Sequence, residues 1–128
     1  MGDLTANFSK SEFDCNDGSV MPMDVLVNVQ EQAENLQVIR DFVDRSITVN
    51  SGHRSPTYNK KIGGAKNSQH LLGNASDIKI KGISPKEVAD IIEGLIRIGA
   101  IEQGGIGIYS SSGFTHYDRR GTKARWNG

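Results

Sequence analysis

One stretch constrains the fold more than any other: "SDIKIKGISPKEVADIIEGLIRI", residues 76 to 98. It opens with strict alternation. Ile78 and Ile80 point one way, while Asp77, Lys79 and Lys81 point the other, which is the signature of a half-buried strand. After a glycine comes Ser84-Pro85-Lys86-Glu87, a capping box with proline in the first helical position. Val88, Ile91, Ile92, Leu95 and Ile96 then recur at the spacing of one buried helix face. A strand turning into a capped amphipathic helix needs a sheet to lie on. The rest of the chain supplies it.

"SITVN" at 46–50 is rich in β-branched residues and reads as a strand. "GGIGIY" and "GFTHYD" read as two more, joined by the serine-rich turn "SSSG". From Met23 to Asp44 the pattern is helical, with Leu26, Val29, Ala33, Leu36 and Val43 on one face and Ile39 beside them. Ser55-Pro56 starts a short helix through Tyr58 and Lys61, ended by Gly63-Gly64. A helical turn is expected around Ser9 to Phe13, and "NDGS" at 16–19 is a turn signal. The predicted fold class is α+β: a small, mainly antiparallel sheet with helices packed on one side. With 128 residues the chain is expected to be one domain, spanning 1–128, long enough to bury a core.

Charge narrows the function. The 15 basic and 15 acidic residues balance, so a nucleic-acid partner is not expected. The basic end, "DRRGTKARWNG", reads as a short solvated tail. No apolar run approaches the roughly 18 residues a membrane span needs, so no membrane insertion is expected. The amino-terminal "MGDLTANFSKSEF" lacks the basic-then-apolar pattern of a signal peptide. The single cysteine, Cys15, excludes an internal disulfide and reads as a buried, idle thiol.

The chain has three histidines, His53, His70 and His116. His70 stands just before the strand that Asp77 opens. His116 lies within "FTHYD", where residues two apart share a face, so His116 and Asp118 project together. If the two strands are neighbours, His70, Asp77 and His116 can meet at one site. Two imidazoles and a carboxylate suit Zn2+, and three protein ligands leave a position for water, as in catalytic zinc sites. A closed structural site would call for more cysteines. On spacing alone the His-x6-Asp signal is weak and the histidines read more readily as surface or satisfied residues, and the His-Glu-x-x-His helix motif is absent.

"SGHRSPTYNKKIGGAKNSQHLLGNASDI" resembles the signature of zinc D-alanyl-D-alanine carboxypeptidases and related peptidoglycan peptidases, which share a fold with the amino-terminal domain of hedgehog proteins. Ser68, His70, Gly73, Ala75 and Asp77 match the family's Ser-x-His-x-x-Gly-x-Ala-x-Asp in register. "GGIGIY…GFTHYDRRG" resembles its closing hairpin. The resemblance runs from about Phe8 to Trp126. It implies zinc ligands His70, Asp77 and His116, and a role for Arg54 in binding substrate or stabilising an oxyanion, work suited to a forked, always-charged donor. It implies a zinc metallopeptidase acting on the peptide part of bacterial cell wall, as a carboxypeptidase or as an endopeptidase of the phage-lysin kind. A non-catalytic zinc module that binds wall peptide or a protein partner is the alternative. A monomer is expected, cytoplasmic until released or delivered to the wall by another route.

Two departures from the family pattern stand out. His53 occupies the aromatic position of "SGYRS", where it reads as a replacement for a packing ring. Gly113 stands three residues before His116, where many relatives carry Asp or Glu. Asp118 is then the remaining carboxylate for the catalytic base, or else it orients His116. Ser68 and Tyr109 are expected at the substrate side, with Asn67 and Gln69 near them. Gly73 is expected to turn the chain tightly between two ligands.

Overall fold

The computed structural model describes residues 2–128. A single 3-10 turn, Lys10–Phe13, precedes helix α1, Met23–Val43. Strand β1, Ile47–Ser51, leads through a loop to the short α2, Pro56–Lys61. A 3-10 turn at Gln69–Leu72 is followed by β2, Ala75–Ile80, and α3, Pro85–Arg97. Strands β3 (Gly105–Tyr109), β4 (Phe114–Asp118) and β5 (Ala124–Asn127) complete the chain. The five strands form one sheet in the order β1-β2-β4-β3-β5. Every pairing is antiparallel except β3 with β5. The α+β class read from the sequence is the observed one.

The local signals work as chemistry dictates. The Ser84 side chain accepts from the Glu87 N–H and Glu87 returns to the Ser84 backbone, closing the capping box at the start of α3. Ser55 accepts from the Tyr58 N–H, with Pro56 in the first turn of α2. Gly73 takes φ 81° at the end of the Gln69–Leu72 turn, and a Cβ there would crowd Val25 and Val29 at 2.9 Å. The expected tight turn is thus also a point of close packing against α1.

One face of the sheet carries the core. Ile78, Ile80, Ile106 and Tyr117 cluster with Val29, Ala33, Leu36 and Ile39 of α1 and with Val88, Ile92 and Leu95 of α3. Burying such side chains contributes on the order of 1.5–3 kcal/mol each. Leu26 and Val43, expected in the α1 stripe, are only partly buried, and the stripe instead includes Val25 and the polar Gln32. Gln32 is admitted because its amide is fully occupied. Nε2 donates to the Tyr117 carbonyl and to Ser76 Oγ, both at 3.2 Å, and Oε1 accepts from Arg119 Nε at 3.0 Å.

The basic end is where the sequence reading fails. It is no solvated tail. The Arg119 side chain is only 5% exposed and donates to the Asn28 carbonyl and to Asn74 Oδ1 as well as to Gln32. Arg125 forks onto Glu93 of α3. With these cations satisfied by partners distant in sequence, Ala124–Asn127 is free to pair along β3 and extend the sheet.

Candidate metal centre

Strand register builds the site. Ser51 of β1 pairs with Asp77, Asp77 with His116, His116 with Gly107, and Gly107 with Trp126. These five residues form one row across all five strands. Asp77 alternates with the core residue Ile78, and His116 with the core residue Tyr117, so both project from the face opposite the core. His70 reaches the same place from the 3-10 turn that precedes β2. Its imidazole meets that of His116 edge-on, with ring centroids 5.2 Å apart.

The ligand atoms of His70, Asp77 and His116 all lie within 4.8 Å of one another, and all three residues are buried, at 2%, 5% and 7% exposure. Their hydrogen bonds fix which nitrogen faces inward. His70 Nδ1 lies 2.6 Å from the Gly52 carbonyl, which can only accept, so Nδ1 carries the proton and Nε2 turns to Asp77 Oδ1 at 3.2 Å. His116 Nε2 lies 2.7 Å from Asp118 Oδ2, and its Nδ1 faces the same Asp77 Oδ1 at 3.0 Å. With each ring's proton held on its outer side, two nitrogen lone pairs and a carboxylate oxygen converge on one point. Three acceptors this close repel unless a cation lies among them, either a proton or a metal ion.

The titration behaviour expresses the same demand. Burial opposes charge on His116, but the hydrogen bonds to Asp118 and Asp77 outweigh it and raise its pKa above the ordinary value. Burial likewise opposes charge on Asp77, yet the hydrogen bonds from His116 and His70 hold its carboxyl well below the usual range. Asp118 is held low in the same way by His116, by Arg120 and by the Gly105 N–H.

The trio opens on a cleft of about 390 Å³. Arg54 borders it, with Nη2 donating to Asp77 Oδ2 and Nη1 to Asn59 Oδ1, both at 3.3 Å, and Nε donating to Ser51 Oγ. Ser68 borders it too, and its Oγ accepts from the His70 N–H at 3.2 Å, which caps the turn that carries the ligand. Asn67 and Gln69 are also at the cleft, as is Tyr109, which stacks on Phe114 at 4.5 Å between ring centroids. Asp118 does not line the cleft. It is fully buried behind His116, and Arg120 donates to both its oxygens, from Nε at 2.9 Å and from Nη2 at 2.7 Å.

His53 is buried, and its Nδ1 has no partner among the described residues. Burial pushes its pKa down, which keeps it neutral. Cys15 is also buried, its sulfur accepting from the Ser55 N–H at 3.3 Å. Sequence reasoning missed two walls of the cleft, Arg120 and Trp126. The signal available for the second was its being the single tryptophan, set in the short alternation Ala124-Arg125-Trp126.

Fold and site together define a class: a mainly antiparallel sheet bearing a buried His-Asp-His group fit to hold a metal ion at the floor of a cleft. The Peptidase M15 family model matches residues 5–118. The chain belongs to the M15 peptidase family. It is 36% identical over 74 residues to the zinc D-Ala-D-Ala carboxypeptidase of Streptomyces albus G, a match covering 57% of this chain and 29% of that protein. It is 32% identical over 106 residues to the probable peptidoglycan L,D-endopeptidase MepK of Haemophilus influenzae, covering 79% and 53%. The chain thus matches about half or less of the length of each of these relatives. Among the described residues no helix is long and apolar enough to cross a membrane.

Proposed function

We propose that the chain is a zinc-dependent peptidase that hydrolyses peptide bonds in peptidoglycan stem or crosslink peptides. The observation that carries this is the convergence of three acceptor atoms, from His70, Asp77 and His116, at the floor of an open cleft. Two nitrogens and one oxygen suit zinc, and the open side leaves room for water and substrate. Zinc bound there supplies a Lewis acid for the scissile carbonyl and lowers the pKa of bound water to about 7.

The protein groups divide the remaining work. The Gly52 carbonyl holds the proton of His70 on Nδ1, and Asp118 holds that of His116 on Nε2, so each ring presents a lone pair to the metal. In this reading Asp118 is a positioning residue, because it reaches the cleft only through His116. Arg54, fixed by Ser51, Asn59 and Asp77, faces the cleft with a permanent positive charge and stabilises negative charge developing on the carbonyl oxygen or on a substrate carboxylate. Ser68 and Tyr109, which border the same cleft, contact the peptide. A carboxypeptidase and an endopeptidase both fit this arrangement, and the names of the two relatives support wall peptide as the substrate class.

One observation favours the non-catalytic alternative. Among the described residues lining the cleft, Asp77 is the only carboxylate, and as a ligand it is not free to act as general base. Zinc-loaded protein incubated with defined muropeptides, with products mapped by mass spectrometry, separates the two. Cleavage at one bond type establishes the peptidase and names the bond. Intact substrate in the presence of one bound equivalent of zinc leaves the binding module.

A further inference from the structure

The last strand brings Trp126 into the metal centre. Trp126 stands in the same row as Asp77 and His116, beyond Gly107. It lies outside residues 5–118, which match the family. Its indole crosses over Gly107 to reach His116, with ring centroids 5.0 Å apart. The crossing depends on Gly107: a Cβ there would lie 2.5 Å from the indole nitrogen and 2.6 Å from its neighbouring ring carbon. The indole N–H donates to Tyr109 Oη at 2.8 Å, which fixes the ring's rotation. The Arg120 guanidinium carbon stands 5.3 Å from the same ring's centroid, while that guanidinium grips Asp118.

The indole thus touches the ligand His116 directly and, through Arg120, the carboxylate that holds it. Asp118 fixes His116 by one hydrogen bond, about which the imidazole can still tilt. The indole wall removes that freedom. It also packs on the flank of the buried His116–Asp118 pair, and the apolar shell of a metal site sets solvent access and dielectric as much as the hydrogen bonds do.

We propose that Trp126 is a positioning residue for the metal centre: carried on β5 and seated over Gly107, it locks the His116 ring in its ligating pose and forms one wall of the substrate cleft. The inference rests on the reading that His70, Asp77 and His116 hold a metal.

The test is metal affinity, measured by competition with a chromophoric chelator. Trp126→Ala should bind zinc about tenfold or more weakly than the wild type, in the range seen when supporting groups around a metal ligand are removed. Trp126→Phe keeps a ring against His116 and should stay within about threefold. Gly107→Ala keeps the tryptophan but displaces it, and should reproduce the loss. A purely structural role would lower the melting temperature of the metal-free protein and leave zinc affinity alone.

Trp126 is the chain's single tryptophan, so its emission reports this one contact. Cobalt(II) added to the metal-free wild type should quench it, saturating at one equivalent. This readout stands even if Trp126→Ala fails to fold. Wild type that takes up neither metal overturns the metal reading beneath the inference. Wild type that binds cobalt without quenching, or folded Trp126→Ala and Gly107→Ala that bind zinc as tightly as wild type, overturns the inference alone.

Discussion

His116 gives Nε2 to Asp118 at 2.7 Å and, on the same ring, Nδ1 to Asp77 at 3.0 Å, so the two carboxylates stand on opposite sides of one imidazole. Asp118 faces away from the cleft, and its second oxygen is taken by Arg120 and by the Gly105 N–H. In Asp118→Asn, zinc affinity and peptidase activity should therefore fall together, each by about 10–100-fold. Zinc binding by chelator competition and turnover on wall peptide, measured side by side, check this. Loss of activity with zinc affinity intact would make Asp118 the base instead.

The metal-free protein should have a stability optimum on the acid side of neutrality. The pKa of His116 is raised above its ordinary 6.5, so its contribution is complete below that value and is lost as pH rises through the raised one. Asp77 is depressed from its ordinary 3.8, so its contribution is present above that value and is lost as pH falls. Zinc replaces the proton on His116 Nδ1 and removes the alkaline loss. Melting temperatures of chelator-treated and zinc-loaded protein between pH 4 and 9 should converge in acid and separate above neutrality.

Arg54→Lys should not behave as a conservative change. The guanidinium spans Ser51, Asn59 and Asp77 at once, and a lysine ammonium cannot reproduce that fork. A fall of about 100-fold in kcat/KM on wall peptide is expected, with zinc still bound at one equivalent. Steady-state kinetics beside metal analysis test it.

Gly113→Asp should not raise activity. Gly113 sits in the β3–β4 turn at φ 78°, and a Cβ there lies nearest the Lys79 side chain, at 3.7 Å. A carboxylate at this position starts out toward Lys79 and carries a left-handed backbone penalty of about 1 kcal/mol. Denaturant midpoints and turnover on the same variant test both halves.

The metal ligands were legible because each announces its place locally. Alternation in "SDIKIK" sets Asp77 opposite the core, "FTHYD" does the same for His116, and the match of Ser68 to Asp77 with a known signature joins them to His70. Asp118 was legible as a neighbour of His116, but not the side of the ring it occupies, since that depends on imidazole rotation. Trp126 and Arg120 were hidden in a charge-rich end that resembles solvated tail. Only the tertiary partners Glu93, Gln32 and Asn74 reveal that Arg119 and Arg125 are satisfied within the fold. Gln32 was hidden for the same reason: a glutamine in a helix reads as surface until its three partners are known.

The direct pairing of Asp77 with His116 also has an engineering use. Two ligands that share a rung are kept together by the ladder, whatever the length of chain that leaves β2 and returns on β4. That excursion runs over α3 and the exposed stretch 97–100 before β3 begins. A peptide tag or small domain grafted into that stretch should leave the metal centre undisturbed, which makes it a natural handle for tethering the protein to a surface.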